Sequence, residues 1–367
     1  MAPYTFRPSV ATMSLGSPSH CLRTKLQFAA EAGFEGIEMY WDDLVAFARL
    51  NHGADMRAAA SAVADHCAVL NLTVISLQPF RNYDGIICPV QHAERLDEFR
   101  EWMRIAGLLG TNTIGVPATI DPHGHHVGDR GAIIADMREL TELAATQGVR
   151  VAYENLCFSA STSTWQDAWD VVRAVGLDNI SFLPDTFNIC GSAYADPGCK
   201  GLRLPDAERV FAKSMDELSR RIDPKHVFCI QVADGEWLAD PIGPDHPWMQ
   251  APGVFNAHMA WSRNARMFPL EEGAFLPVLD VLRALTERKR RISIDRMSHD
   301  SDDSGAGEWS GDEMGKDDDG GITDCRGWIS MEVFSRTAKV EGVRTIREHV
   351  DRAWRSWEEI QRRMGWS

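Results

Sequence analysis

Short apolar runs alternate with longer amphipathic runs along the whole chain, and this alternation constrains the fold more than any other sequence feature. The short runs predict buried strands and the longer runs predict helices. The predicted strands cover 9–15, 36–40, 73–78, 113–116, 149–153, 180–183, 227–232 and 328–334. The predicted helices cover 22–32, 56–70, 94–109, 130–147, 164–175, 206–222, 275–288 and 343–363. Strands that alternate with helices in this way indicate a parallel sheet.

Eight strand–helix units without a separate second domain favour a closed (β/α)8 barrel over an open doubly wound sheet. A nucleotide-binding sheet would carry a glycine-rich phosphate loop. The chain has neither GxGxxG after its first predicted strand nor GxxxxGK[ST] anywhere. We therefore expect an α/β protein in which residues 1–367 form one TIM barrel domain.

One stretch, residues 299–324, departs from the alternation. It contains ten acidic residues and one basic residue, so it holds about nine of the chain's fifteen net negative charges. A segment so rich in Asp, Gly and Ser cannot bury enough apolar surface to fold. We expect a disordered, low-complexity acidic insertion between the seventh helix and the last strand.

Composition narrows the functional classes. The net charge of −15 opposes binding to DNA, RNA or an anionic membrane. No apolar run reaches the length of about 18 residues that indicates a transmembrane helix, and no signal peptide is expected. The eight cysteines form no CxxC pair, which is typical of buried thiols in a reducing cytosol. We expect a cytoplasmic protein that acts on a small molecule, and the sequence leaves open whether it forms an oligomer.

Four oxygen-bearing side chains stand at the ends of four consecutive predicted strands. They are Glu154, Asp185, Gln231 and Glu332. The active site of a TIM barrel lies at the carboxyl ends of its strands, so these side chains should converge. Buried carboxylates that lie close together repel each other unless a cation joins them. An oxygen-rich set without His or Cys suits Mg²⁺, Mn²⁺ or Co²⁺ better than zinc.

Arginines and histidines follow other strands at the same end of the barrel. Arg81, Arg263 and Arg266 are candidates to bind a substrate carboxylate, because a guanidinium matches the geometry of that group. The HGHH run at 123–126 resembles a metal motif, but Pro122 and Gly124 favour an ordinary loop. No GxSxG motif supports nucleophilic hydrolysis.

Motifs at these strand ends resemble those of the xylose isomerase-like barrels and, within them, the fungal-type 3-dehydroshikimate dehydratases. The matching stretches are ATMSLG (11–16), AGFEGIE (32–38), SLQPF (76–80), YEN (153–155), DTFNI (185–189), IQVAD (230–234), WSRNAR (261–266) and GWISMEVF (327–334). They span nearly the whole chain outside the acidic insertion. Gln at the seventh strand and the Ser-x-x-x-Arg loop are the most specific, since sugar epimerases of this fold usually have His at the seventh strand.

The resemblance implies a divalent metal ion held by Glu154, Asp185, Gln231 and Glu332. It also implies that Arg81, Ser262 and Arg266 bind the substrate. Glu154, Glu332 and Arg266 are then the catalytic candidates. Bacterial relatives place a His three residues after the sixth-strand Asp, whereas this chain has Asn188. Asn188 is a poor base and is expected at the substrate, so the identity of the general base stays open.

The implied reaction is the metal-dependent dehydration of 3-dehydroshikimate to protocatechuate in quinate and shikimate catabolism. The alternative is an isomerase, epimerase or dehydratase that acts on a sugar or inositol derivative on the same barrel. An apurinic-site endonuclease is disfavoured by the missing histidines and the negative charge. A catalytically inactive metabolite sensor is disfavoured because it need not keep four ligand positions.

Overall fold

The computed structural model describes residues 6–120, 124–126, 128–287 and 327–366, and its main sheet consists of parallel strands. The strands are β1 (Arg7–Ala11), β2 (Gly36–Tyr40), β3 (Thr73–Gln78), β4 (Thr113–Pro117), β5 (Arg150–Glu154), β6 (Ile180–Phe182), β7 (Ile230–Val232), β8 (Asp234–Gly235), β9 (Arg266–Met267) and β10 (Trp328–Met331). The main sheet has the order β6-β5-β4-β3-β2-β1-β10-β7, and β8 pairs with β9 in a small antiparallel ribbon.

The sheet closes into a barrel because its two outer strands also meet. Isolated parallel bridges join Phe182 to Val227 and Asp185 to Gln231. The backbone N–H of Gln231 donates to the carbonyl of Pro184 at 2.9 Å. The first and last barrel strands pair in parallel, with Ser9 opposite Ser330. The predicted (β/α)8 barrel is therefore confirmed.

Helices follow the barrel strands. They are α1 (Leu22–Ala32), α2 (Trp41–Asn51), α3 (Met56–Val69), α4 (Pro89–Leu109), α5 (Arg130–Ala145), α6 (Trp165–Val175), α7 (Thr186–Ala193), α8 (Ala207–Arg221), α9 (Ala257–Ala265), α10 (Val278–Thr286) and α11 (Val343–Met364). Most agree with the predicted helices to within a few residues, whereas α2, α7 and α9 were not predicted.

The first and last predicted strands extend several residues too far at the functional end of the barrel, because the chain turns there. The first strand ends at Ala11, and Thr12–Leu15 form a 3-10 helix. The Ser14 hydroxyl contacts the last strand, where it donates to the carbonyl of Met331 at 3.1 Å and accepts from the N–H of Val333 at 2.7 Å. The last strand accordingly ends at Met331 rather than at 334. Glu332 thus lies directly after a strand end.

The barrel interior below the strand ends is lined by small hydroxyl side chains. Ser9, Ser181 and Ser330 are each fully buried. Ser9 and Gln231 lie in register with Ser330 on its two neighbouring strands, and Ser181 lies in register with Ala152. Small side chains at this level leave room above them for larger polar groups at the carboxyl ends.

The acidic segment 299–324 and His123 lie outside the described residues, so their predicted roles stay predictions. Within the described ranges, no helix is both long enough and apolar enough to cross a membrane.

Candidate metal centre

Three carboxylates converge at the carboxyl ends of the barrel strands. Glu154 is the last residue of β5, Asp185 follows β6, and Glu332 follows β10. Each side chain is at most 4% exposed, and one oxygen from each lies within 4.8 Å of the others. The structure thus brings together the three acids that the sequence places at strand ends.

Gln231 joins this group from β7, and its amide has a defined orientation. Its Nε2 donates to Oε1 of Glu332 at 3.2 Å and to Oε2 of Glu38 at 3.1 Å. Its Oε1 is buried and accepts no hydrogen bond from the described part of the chain. A buried amide oxygen without a donor is costly, so the arrangement suits an oxygen ligand for a cation.

Glu38 is a fourth buried carboxylate that the sequence reasoning missed. It lies in β2, and its Oε2 accepts from the Ser76 hydroxyl at 2.9 Å and from Nε2 of Gln78 at 3.0 Å. The sequence did contain a sign that Glu38 is special, because Glu38 is the single acid in a short, otherwise apolar strand. All five residues of this strand are buried in the structure. Such an acid must be hydrogen-bonded, which requires polar partners on neighbouring strands.

Asn188 lies behind two of the carboxylates instead of facing the open cavity. It belongs to α7, whose N-cap is Asp185. Its Nδ2 donates to Oε1 of Glu154 at 2.8 Å and to Oδ2 of Asp185 at 2.7 Å. Its Oδ1 accepts from the N–H of Cys157 at 3.1 Å. Both ends of the amide are occupied, and this geometry favours positioning of the two acids over contact with a substrate.

Arg266 also contacts the carboxylates. It begins β9, and its Nη1 donates to Oδ2 of Asp185 at 2.6 Å and to Oε2 of Glu332 at 3.2 Å. Its Nε donates to the Ser262 hydroxyl at 3.1 Å, one helical turn earlier in the chain. The guanidinium lies over the rings of Phe187 and Phe334. Arg266 is only 2% exposed, so its charge is directed at the acids.

The balance of charge at the site is negative. Four carboxylates face one guanidinium, and two unit charges 4.8 Å apart repel by about 3 kcal/mol at an effective dielectric constant of ~20. Burial raises the pKa of Glu154 well above its usual range, and the neighbouring Glu332 and Asp185 add to this effect. Burial also raises the pKa of Glu332 to about 8, although Arg266 opposes the shift. A bound divalent cation would relieve the repulsion.

A cavity of about 490 Å³ opens above the acids. Its floor includes Glu154 and Glu332, and Ser262 and Arg266 form part of one wall. Arg81 also lines the cavity. Its Nη2 donates to the Tyr40 hydroxyl and lies 3.6 Å from Oδ2 of Asp42. The cavity therefore combines an anionic floor with cationic walls.

A second arginine, Arg263, lines the same cavity, and its Nη1 donates to the carbonyl of Gly253 at 3.2 Å. Burial lowers the pKa of Arg263, and the nearby positive charge of Arg81 lowers it further. Two neighbouring guanidinium groups that repel each other provide a site for an anion.

The donor set fits a hard divalent cation. It offers three carboxylates and the unpartnered amide oxygen of Gln231, and the group of candidate ligands in the described ranges contains no histidine. Oxygen ligands of this kind are preferred by Mg²⁺ and Mn²⁺. That these four side chains bind a metal ion stays a prediction.

Comparison with known proteins places the chain in a family. Residues 26–308 match the family model described as "Xylose isomerase-like TIM barrel". The chain is 32% identical to 3-dehydroshikimate dehydratase of Neurospora crassa over 96% of this chain and 92% of that protein. It is 28% identical to the 3-dehydroshikimate dehydratase of Pseudomonas aeruginosa over 72% of this chain, which corresponds to 34% of that longer protein.

A solved structure with the same fold also carries a metal. It is described as the IOLI protein with a binding zinc atom. The match covers 96% of this chain and 97% of the other chain, with a TM-score of 0.65 and 15% sequence identity. An identity this low supports the fold alone. The family model and the full-length relative together show that this chain belongs to the xylose isomerase-like TIM barrel family and, within it, is related to the 3-dehydroshikimate dehydratases.

Proposed function

We propose that this chain is a 3-dehydroshikimate dehydratase, a hydro-lyase that forms protocatechuate (3,4-dihydroxybenzoate). One arrangement carries the proposal. A cluster of three buried carboxylates lies on the floor of a cavity whose walls carry two neighbouring arginines. Such a cavity offers a cation to a polar ring substituent and guanidinium groups to a carboxylate. The relationship to the Neurospora crassa enzyme, which extends over nearly the whole of both chains, selects the reaction.

The reaction removes one molecule of water from the substrate. 3-Dehydroshikimate has a ketone at ring carbon 3 and hydroxyls at carbons 4 and 5. Carbon 4 loses a proton, which is acidic because it is α to the ketone, and carbon 5 loses its hydroxyl. Tautomerisation then gives the aromatic ring. The protein must therefore stabilise negative charge near the ketone, accept one proton and fix the orientation of the ring.

Glu154, Asp185, Gln231 and Glu332 are the residues that would hold a divalent metal ion, with Mg²⁺, Mn²⁺ and Co²⁺ the candidates. When bound there, the ion supplies a Lewis acid that stabilises negative charge on the ketone oxygen. Arg266 keeps Asp185 and Glu332 in place through its two hydrogen bonds. The protein thus orients its own ligands before the substrate enters.

The cavity walls would orient the substrate through its carboxylate. Arg81 and Arg263 suit this role because both line the cavity and lie close enough for their charges to interact. Ser262 lies on the same wall and can add a hydroxyl donor. Arg266 is already bonded to Asp185 and Glu332, so we assign recognition of the carboxylate mainly to Arg81 and Arg263.

Glu154 is the proposed proton acceptor. Both Glu154 and Glu332 line the cavity. Each oxygen of Glu332 accepts a hydrogen bond, from Gln231 and from Arg266. Among the described residues, Glu154 accepts a hydrogen bond only at Oε1, from Asn188, so Oε2 is the atom assigned to receive the proton. Among the residues that the structure describes, no histidine lines the cavity.

The test is to incubate the purified protein with 3-dehydroshikimate and to follow the absorbance of the aromatic product. The protein is first treated with a chelator and then assayed with and without Mg²⁺, Mn²⁺ or Co²⁺. We expect product that depends on the added metal, and no product from Glu154→Ala or Glu332→Ala. A folded, metal-loaded protein that forms no product would contradict the proposal. Turnover of keto-sugars or inositol derivatives in its place would favour the isomerase alternative.

A further inference from the structure

Glu38 lies beside the proposed metal ligands without belonging to them. It is fully buried, it does not line the cavity, and it is absent from the group of three carboxylates that approach one another within 4.8 Å. Its Oε2 accepts three hydrogen bonds, and every donor is a side chain from a neighbouring part of the barrel. The proposed mechanism gives Glu38 no role, so its burial requires an explanation.

A glutamine is an ambiguous metal ligand because its side chain ends in two similar atoms. Only Oε1 can bind a cation, whereas Nε2 can only donate hydrogen bonds. Carboxylates next to Nε2 accept and do not donate, so they fix which end of the amide is which. Nε2 of Gln231 lies 3.1 Å from Oε2 of Glu38, 3.3 Å from its Oε1, and 3.2 Å from Oε1 of Glu332.

We propose that Glu38 is a positioning residue that holds the Gln231 amide with Oε1 directed at the metal ion. The inference rests on the metal site of the proposed function. Outer residues of this kind typically change metal affinity by about 10- to 100-fold when they are replaced. Glu38 has this role because Gln231, unlike a carboxylate, presents a donor and an acceptor that can exchange places.

Glu38 is itself held in place from the adjacent strand. Ser76 and Gln78 both lie in β3 and both donate to Oε2 of Glu38. Gln78 fits there because Gly115 of β4 lies opposite, where a Cβ atom would come within 2.9 Å of the Cβ of Gln78. Three neighbouring strands therefore contribute to the orientation of one amide on a fourth strand, β7.

The test exchanges the two groups between the two positions. The single variants are Glu38→Gln and Gln231→Glu, and the double variant combines them. A carboxylate at 231 facing an amide at 38 restores a donor–acceptor pair and keeps the net charge of the wild type. Dissociation constants are measured for Mn²⁺ alone by electron paramagnetic resonance of the free ion, so that no catalytic activity is needed. Near-ultraviolet circular dichroism monitors the fold.

We expect Glu38→Gln to weaken Mn²⁺ binding by about 10- to 100-fold. The double variant should bind Mn²⁺ within about threefold of the wild type. Ser181→Ala is the matched control, since it removes another buried barrel hydroxyl, one that makes no hydrogen bond within the described part of the chain, and it should leave the constant within about threefold of the wild type. If Glu38→Gln does not fold, the double variant is compared with the wild type, and Mn²⁺ binding weakened by about tenfold or more would contradict the proposal.

Two results would overturn the inference. One is wild-type affinity in Glu38→Gln, and the other is a double variant that binds Mn²⁺ no better than Glu38→Gln alone. The variant Gln231→Ala distinguishes an error in the role of Glu38 from an error in the proposed metal site. If Gln231→Ala binds Mn²⁺ as tightly as the wild type, then Gln231 is not a ligand and the proposed ligand set itself is wrong.

Discussion

At the level of single residues, we assign two different tasks to the arginines of the site. Arg81 lies beside Tyr40 and Asp42 in the cavity wall, whereas Arg266 donates directly to Asp185 and Glu332. The difference matters because a guanidinium that already donates to two carboxylates has fewer N–H groups available for a substrate. Kinetic parameters can separate the two tasks, since one concerns substrate binding and the other concerns the metal and its ligands.

Arg81→Ala should raise KM for 3-dehydroshikimate by about 10- to 100-fold, because a charged hydrogen bond is worth about 1.5–3 kcal/mol. The kcat value should change little. Arg266→Ala should instead lower kcat and alter metal affinity, because Asp185 and Glu332 lose their shared donor. Steady-state kinetics at saturating metal concentration checks the KM and kcat expectations, and a metal titration checks the change in affinity. A KM effect confined to Arg266→Ala would reverse our assignment.

Sequence patterns located the acids at the strand ends but not the residues behind them. Glu154, Asp185 and Glu332 could be found because strand ends in a barrel share one edge. Glu38 escaped because its partners Ser76, Gln78 and Gln231 come from distant parts of the sequence. The positioning geometry of Asn188 escaped for a similar reason, since its contact with Glu154 joins two separate elements.

At the level of elements, two of the three helices that the periodicity missed, α2 and α7, begin at or just after a strand end. α2 starts at Trp41, immediately after β2, so no turn residue separates the two patterns. α7 starts after Asp185 and contains TFNICGSA, which is poor in strong helix formers. α7 therefore depends on tertiary contacts more than on local propensity. The regular amphipathic helices, such as α6 and α11, could be predicted because one face of each is apolar.

Gly235 sets how closely α9 approaches the barrel. A Cβ atom at Gly235 would lie 2.1 Å from Cζ2 of Trp261, which is in the helix that carries Ser262. Gly235→Ala should therefore displace α9, lower the free energy of unfolding by about 1–3 kcal/mol and reduce turnover. Gly243→Ala is the control, because nothing lies within 4 Å of the corresponding Cβ position.

Urea unfolding followed by tryptophan fluorescence, together with a turnover assay, checks the Gly235 expectation. Equal stability and turnover in the two glycine variants would show that the contact with Trp261 does not control the position of α9.

At the level of the whole molecule, the last helix is fixed to the first residues of the barrel. His349 of α11 is buried, with Nδ1 2.8 Å from the carbonyl of Ser14 and Nε2 3.0 Å from the Thr337 hydroxyl. Burial lowers the pKa of His349 to about 4. In the unfolded chain the same imidazole titrates near pH 6.5. The folded state therefore resists protonation that the unfolded state accepts.

The resulting stability is present above pH 6.5 and is lost as the pH falls towards 4. The loss attributable to His349 should reach about 3 kcal/mol, since one pKa unit corresponds to 1.36 kcal/mol. His349→Gln should flatten this part of the pH profile of the free energy of unfolding. Denaturant titrations of both proteins at several pH values measure the difference. Parallel profiles for the two proteins would contradict the prediction.

The acidic segment should be dispensable for catalysis. The residues proposed to hold the metal and the substrate lie in the described ranges before 288 and after 326. Deletion of residues 300–323 should leave kcat and KM within about threefold of the full chain. A large loss of turnover, with the fold retained, would give the segment a role in the reaction.

The pairing of the first barrel strand with the last has a consequence for biosynthesis. The Ser9 hydroxyl donates to the carbonyl of Ile329, 320 positions later, and Glu332 follows the end of the same strand. While the ribosome is still synthesising the chain, the nascent protein cannot close its ring or present its full set of acids. Binding of the proposed ion would therefore have to follow translation past residue 332, and a chain truncated before Glu332 would lack one of the proposed ligands.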